Sequence, residues 1–255
     1  MPRSRLPIIA AIVVAAVAIG GFLAYRQFLA GDSVPQLTLP PISVASGTPG
    51  TAGTATEPGA TSSSPSAGSV VSTPAGLAGT WSVGDGSVVG YRVREQLGNV
   101  TALSDAVGRT SAITGSATLE ATTDSVKVTA ASFQADLSQL TSDDNRRDNR
   151  IRSIGLESSQ FPTATFKLTS AIDVPASALS GSAVDISMTG DLTIHGVTKS
   201  VTIAGKAQLN GNRIQIVASL TFPFSDFGMS PPNIAGFVSV QDNATMEVLL
   251  SLARG

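Results

Sequence analysis

The run VDISMTGDLTIHGVTKSVTIAGKAQLNGNRIQIVASLTF (residues 184–222) repeats one pattern three times. Val184, Ile186, Met188, Leu192 and Ile194 alternate with Asp185, Ser187, Thr189, Asp191 and Thr193. Val201, Ile203, Ala207 and Leu209 then alternate with Thr202, Ala204, Lys206 and Gln208, and Ile214, Ile216, Ala218, Leu220 and Phe222 share one parity. Successive side chains of a strand point to opposite faces, so each run has one apolar and one polar face. Antiparallel strands with one wall on a core and the other in water read this way; strands of a doubly covered parallel sheet do not. Asn210-Gly211 separates two of the runs and reads as a type I′ hairpin. The stretch from His195 through Gly196, Val197 and Thr198 to Lys199 makes the preceding turn, with Gly196 free to take positive φ.

The same alternation runs outward on both sides, and Met246, Val248, Leu250 and Leu252 continue it near the C-terminus. Many strands of about eight residues with one polar face imply a sandwich or a barrel, and the long hairpins favour an up-and-down barrel, which leaves no open sheet edge. A barrel of about eight strands either fills with side chains or holds one small ligand. Many inward candidates here are Ala, Gly and Val, which points to a hollow interior. Its lining candidates are Tyr91, Val93, Phe133, Phe166, Leu192, Ile194, Phe222 and Phe224. Near Phe133 the apolar residues change phase, from Val126 and Val128 to Phe133, Ala135 and Leu137, which leaves the inward parity there open.

One segment departs from period two. SDDNRRDNRIRSIG (142–155) has helical spacing, with Asp143 and Arg147, and Asp148 and Arg152, at i,i+4. Ser142 is the expected N-cap, Ile151 and Ile154 form a narrow apolar stripe, and Gly155 ends the helix.

Composition narrows the chemistry. The chain of 255 residues has no cysteine and one histidine. Disulfides, thiol catalysis, thiol-ligated metals and an ordinary catalytic zinc site are thereby excluded, and no cofactor is expected. A net charge of -2 leaves no basic footprint for nucleic acid.

Three regions follow. Residues 1–30 read as a membrane anchor: Arg3 and Arg5 precede an uncharged run over 6–25, closed by Arg26. Twenty residues of helix rise about 30 Å, the thickness of a bilayer's hydrocarbon core. The arginine bias places the N-terminus in the cytoplasm and the rest outside the membrane, as a single-pass protein. The alternative is secretion after signal-peptide cleavage near Ala18-x-Gly20. Residues 31–76 are rich in Pro, Ser, Thr, Gly and Ala, and read as a disordered linker because so little of the stretch can be buried. Residues 77–255 form the barrel domain.

LTIHGVTK (192–199) closely resembles a signature of the YceI-like family. So do the Arg147-Asp148 pair followed by Phe161-Pro162-Thr163-Ala164-Thr165-Phe166, the opening Trp81-Ser82-Val83 with Ser87, and Ser225-Asp226-Phe227-Gly228-Met229. The resemblance implies a mainly β fold, an eight-stranded antiparallel lipocalin-like barrel with one short helix. It also implies a polyisoprenoid or other long-chain apolar lipid as partner, in an exported bacterial protein. Family members usually carry a histidine where Gly86 stands and another near Glu95-Gln96; if either touches a ligand head group in relatives, that contact is lost here.

His195 is expected to hold its hairpin turn; its alternative is a head-group contact at the barrel mouth. Arg146, Arg147, Arg150 and Arg152 could clasp a pyrophosphate or carboxylate. Asp143, Asp144 and Asp148 neutralise most of that charge, so a solvated, self-paired face is expected. Arg147 and Arg150 are the first candidates within the clasp reading. No catalytic residue and no metal ligand is assigned. The expected function is therefore a membrane-tethered, extracytoplasmic protein that sequesters or carries a long apolar lipid. The alternatives are an envelope interaction or stress module with a filled barrel and a protein partner, and an envelope hydrolase using His195.

Overall fold

The computed structural model describes residues 34–42, 74–97, 103–121, 125–175, 177–178, 181–234 and 238–255. The anchor expected over 6–25 lies outside them, as do 31–33 and 43–73 of the linker. Among the described residues no helix is long and apolar enough to cross a membrane.

A short helix, α1 (Pro74–Leu77), leads into β1 (Gly79–Val83) and β2 (Val88–Leu97), followed by β3 (Leu103–Thr110) and β4 (Ile113–Ala121). β1 pairs with β4 and β2 with β3, so the four pieces form one long antiparallel hairpin with a break in each arm. Buried Ser87 holds the first break: its hydroxyl donates to Gly84 O (2.8 Å) and accepts from Ser251 N (2.9 Å). β5 (Val126–Asp136) pairs next with β4, and both β6 (Thr163–Leu168) and β7 (Ile172–Val174) pair with β5. β8 (Val184–Ile194), β9 (Val197–Asn210), β10 (Arg213–Phe222) and β13 (Ala244–Arg254) continue the order, and β13 closes on both β1 and β2. Among the described residues the strands thus merge into eight antiparallel staves, each beside its chain neighbour. This is the expected up-and-down barrel.

The phase change before Phe133 has a local cause. Thr118 pairs with Ala130 and Leu119 with Val128, so Thr129 is an extra residue on β5. A bulge shifts parity by one, which lets Val126 and Val128 share an interior with Phe133 and Ala135.

The two hairpin turns differ from expectation in detail. His195 and Gly196 are the whole loop between β8 and β9, with φ of 52° and 73°. Positive φ at both positions is the type I′ requirement, and histidine is among the residues that tolerate it. Between β9 and β10 the loop is Gly211-Asn212, one residue later than expected. Only Gly211 there has positive φ (61°), so this turn is not type I′.

One end of the barrel is sealed. Leu77, Trp81, Leu119, Val126, Leu209, Leu250 and Leu252 pack together there, and Trp81 Nε1 donates to Leu77 O at 2.9 Å. The other end carries α2 (Asn145–Ser153) and the excursion from β10 to β13. That excursion holds a 3-10 turn (Phe224–Phe227), β11 (Asn233–Ile234) and β12 (Val238–Val240), and β12 pairs with the end of β2. The cap of α2 is Asp144, not Ser142: its carboxylate accepts from Arg146 N at 2.7 Å. Asp143 pairs with Arg147 as expected. Asp148 does not pair with Arg152; it is buried and accepts from Ser142 N (2.9 Å) and Ser142 Oγ (2.7 Å), which pins the helix start.

Residues 34–42 also differ from expectation. They fall in the stretch read as a free linker, yet they lie on the outer wall of the barrel. Arg92, Arg109, Gln208 and Asn210 all donate hydrogen bonds to their carbonyls.

Candidate functional site

A cavity of about 520 Å³ occupies the barrel beneath α2. Strand parity builds its wall: Val89, Tyr91 and Val93 of β2 face it from one side, and Ile194, Phe222 and Met246 from β8, β10 and β13. Leu137, Leu140 and Ala164 complete the side below the helix. This wall is almost wholly apolar; polar groups gather at the mouth, where Glu95, Asp144, Arg146, Arg147 and Arg150 border it. An apolar body with a few polar groups at one end suits an amphipathic guest.

The mouth is organised around one partly buried guanidinium. Arg147 donates to Glu95 Oε1 at 2.7 Å and also pairs with Asp143. Burial acts against its charge, but Glu95 and Asp143 more than offset that, so its pKa rises and it stays cationic. Among the described residues neither Arg146 nor Arg150 has an ion-pair partner, because Asp144 caps the helix and Asp148 turns inward. The helix face is therefore less self-neutralised than its composition suggests. Deeper in, burial pushes the Tyr91 phenol well above its usual range. Its hydroxyl has no hydrogen-bond partner among the described residues.

A smaller cavity of about 80 Å³ lies toward the sealed end. Phe133 pairs in register with Phe166, and Phe166 with Leu192, so these three stand side by side on β5, β6 and β8 between the two spaces. The Phe166 ring lies flat over Gly190, where an added Cβ would come within 2.5 Å of the ring. Tyr91 lies over Gly108 in the same way, at 2.3 Å. Glycine on the neighbouring strand lets each ring lie along the wall instead of filling the lumen.

The expected lining residues divide accordingly. Tyr91, Val93, Ile194, Phe222 and Phe224 line the larger cavity together with Arg147 and Arg150, whereas Phe133 and Phe166 line the smaller. Leu192 lines neither: it is 2% exposed and packs in the cluster with Ile194, Phe222 and Phe227. His195 also lies off the lining. Its Nε2 is 2.8 Å from Glu157 Oε2, and its ring packs against Phe161 with centroids 4.2 Å apart. Glu95 is the important residue that the sequence reading passed over. It shares parity with Tyr91 and Val93, and an acid on an inward parity was the available signal. Leu137, Leu140, Met229 and Pro232 come from irregular segments, which carry no parity to read.

The profile of the YceI-like domain matches residues 83–252, two thirds of the chain. The chain belongs to the YceI-like domain family. A UPF0312 protein of Vibrio parahaemolyticus is 31% identical to it over 113 residues, 42% of this chain and 56% of that protein. A UPF0312 protein of Pseudomonas putida is 35% identical over 118 residues, 43% of this chain and 58% of that one. The match thus spans little more than half the length of these relatives. Among solved structures, a polyisoprenoid binding domain from Saccharophagus degradans, implicated in plant cell wall breakdown, aligns with a TM-score of 0.51. The two are 15% identical, over 70% of this chain and 99% of that domain, so the likeness concerns the fold. BcnA of Burkholderia cenocepacia aligns over 65% of this chain and 95% of its own, at 20% identity and a TM-score of 0.47.

Proposed function

We propose that this protein binds one long apolar molecule, a polyisoprenoid or similar lipid, with its tail in the barrel and its polar end among Arg146, Arg147 and Arg150. The apolar cavity of about 520 Å³, opening at a cationic rim, carries this reading. The polyisoprenoid binding domain of like fold supports the ligand class. Each CH₂ moved out of water is worth about 0.8 kcal/mol. A guest with a tail of tens of carbons would exceed the affinity ceiling of about -18 to -21 kcal/mol if water were its alternative. Its real alternative is the bilayer, so net transfer is close to neutral and exchange is reversible. The apolar run over 6–25 supports a role at a membrane outside the cytoplasm, where a tether shortens the aqueous path of such a guest. No catalytic step is assigned: His195 is engaged by Glu157 and Phe161 away from the cavity.

The test is titration with cis-parinaric acid, a fluorescent long-chain polyene, followed by addition of excess vesicles. Saturation at one probe per chain and return of the probe to the vesicles is the expected result. No saturable binding, or binding unaffected by residues of the larger cavity, overturns the proposal.

A further inference from the structure

Residues 34–42, VPQLTLPPI, cross the barrel's outer wall and are held at four points. Arg92 Nη2 donates to Val34 O (2.8 Å) and Arg109 Nη2 to Pro35 O (2.5 Å). Gln208 Nε2 donates to Pro40 O (2.7 Å) and Asn210 Nδ2 to Pro41 O (3.3 Å). Every one of these contacts is a wall donor meeting a backbone acceptor. Proline has no N–H, so at Pro35, Pro40 and Pro41 the segment has only acceptors to offer, and none of 34–42 pairs as a strand. It lies across strands instead, from β2 and β3 to β9.

The seat is braced from within the wall. Glu247 accepts from Arg92 Nε (2.7 Å) and Arg109 Nη2 (3.0 Å), and Asp105 accepts from Arg92 Nη1 (2.9 Å). With the segment in place Arg92, Glu247 and Gln208 are all buried, at 8%, 3% and 5% exposure. The same carboxylates that hold the guanidiniums aim them at the segment's carbonyls, and the fixed φ of three prolines lowers the ordering cost of docking.

We infer that residues 34–42 are a docking clasp that fastens the N-terminal part of the chain to this wall and turns the barrel's mouth toward the membrane. The inference rests on the reading of 6–25 as an anchor. Without the clasp, residues 26–73 would all serve as tether, about 170 Å at full stretch; with it, only 26–33 do, at most about 29 Å. The direction follows from register. Val34 sits on Arg92, in the row Arg92–Thr245–Thr221, next to Phe222 of the larger cavity. Pro40 sits on Gln208, in the row Gln208–Gln215–Ser251, next to Leu252 of the sealed end. The end of the clasp nearest the anchor is thus the end nearest the mouth.

The chain has no cysteine, so a single introduced thiol is a unique label site. In the full chain, a spin label at Thr38→Cys reports docking: restricted motion is expected, with release in the Arg109→Ala, Gln208→Ala double variant. For orientation, the full chain is placed in phosphatidylethanolamine–phosphatidylglycerol vesicles carrying a lipid energy acceptor. A donor at Asn149→Cys, at the mouth, should transfer severalfold more than one at Asp85→Cys, at the sealed end. Replacing 34–42 by a Gly-Ser run of equal length leaves every barrel residue in place and should remove that difference. A freely mobile label at position 38 overturns the clasp. Equal transfer from both sites, or a difference that survives the Gly-Ser replacement, overturns the orientation. A chain that fails to float with the vesicles overturns the anchor and with it the orientation, while the label at 38 still decides the clasp.

Discussion

Ala164→Trp places an indole in the larger cavity without touching the mouth. Ala164 faces that space from β6, opposite Ala135 on β5 and packed against the cluster that holds Ile194 and Phe222. If about half of the indole's atoms displace guest methylenes, about four are lost, and at about 0.8 kcal/mol each the guest loses about 3 kcal/mol. Since about 1.4 kcal/mol is tenfold, the Kd for cis-parinaric acid should rise about two-hundredfold. Lys167→Trp is the control: it adds the same ring on an exposed position of the same strand and should leave binding unchanged. Thermal unfolding of both variants shows whether each is folded. A folded Ala164→Trp protein that binds the probe with unchanged Kd would refute the placement of the guest.

Other predictions follow from single residues. Phe166→Ala removes the ring between the two cavities; it should cost about 2–3 kcal/mol of stability, below a fully buried Phe→Ala. It should also lengthen the longest isoprenoid alcohol retained from a homologous mixture, as read by mass spectrometry. Glu95→Gln strips Arg147 of its buried carboxylate while Asp143 remains, so a loss of about 1–3 kcal/mol in urea unfolding is expected, less than for a fully isolated buried charge. The same change should tighten carboxylate-headed guests and leave neutral alcohols unaffected. Tyr91→Phe removes a hydroxyl without a partner and should stabilise the protein by up to about 1 kcal/mol at neutral pH. Because burial raises the folded-state pKa of Tyr91, its contribution is intact below the ordinary phenol value near 10 and is lost as pH rises past it. The wild type should therefore lose stability above about pH 10 more steeply than Tyr91→Phe in pH-jump unfolding. His195→Ala loses the Glu157 contact and puts alanine at a φ of 52°, so about 1–2 kcal/mol of stability should go while probe binding holds.

The barrel was legible because its strands alternate with period two, and residues 184–222 alone show three staves and their order. The wall of the site followed from the same parity: Tyr91, Val93, Ile194 and Phe222 face inward because their strands leave no other choice. What resisted reading has physical causes. Leu192 shares the parity of Ile194, yet neighbours fill the space before it, and packing depth has no sequence period. The phase change before Phe133 depended on a bulge at Thr129, an ordinary residue with no local mark. Asp148 sits at the right spacing for Arg152, but tertiary burial gave it to Ser142. The docking of 34–42 was hidden because its specificity lies in Arg92, Arg109 and Gln208, far along the chain. Composition by itself shows only a proline-rich stretch with little to bury.

The most direct measurement is native mass spectrometry of the full chain purified from cells with intact lipid metabolism, followed by solvent extraction of the bound fraction. The account predicts one long-chain apolar molecule per chain, displaced by cis-parinaric acid and absent from Ala164→Trp. A chain that emerges at its bare mass from lipid-replete cells, and takes up no apolar probe afterwards, would contradict it.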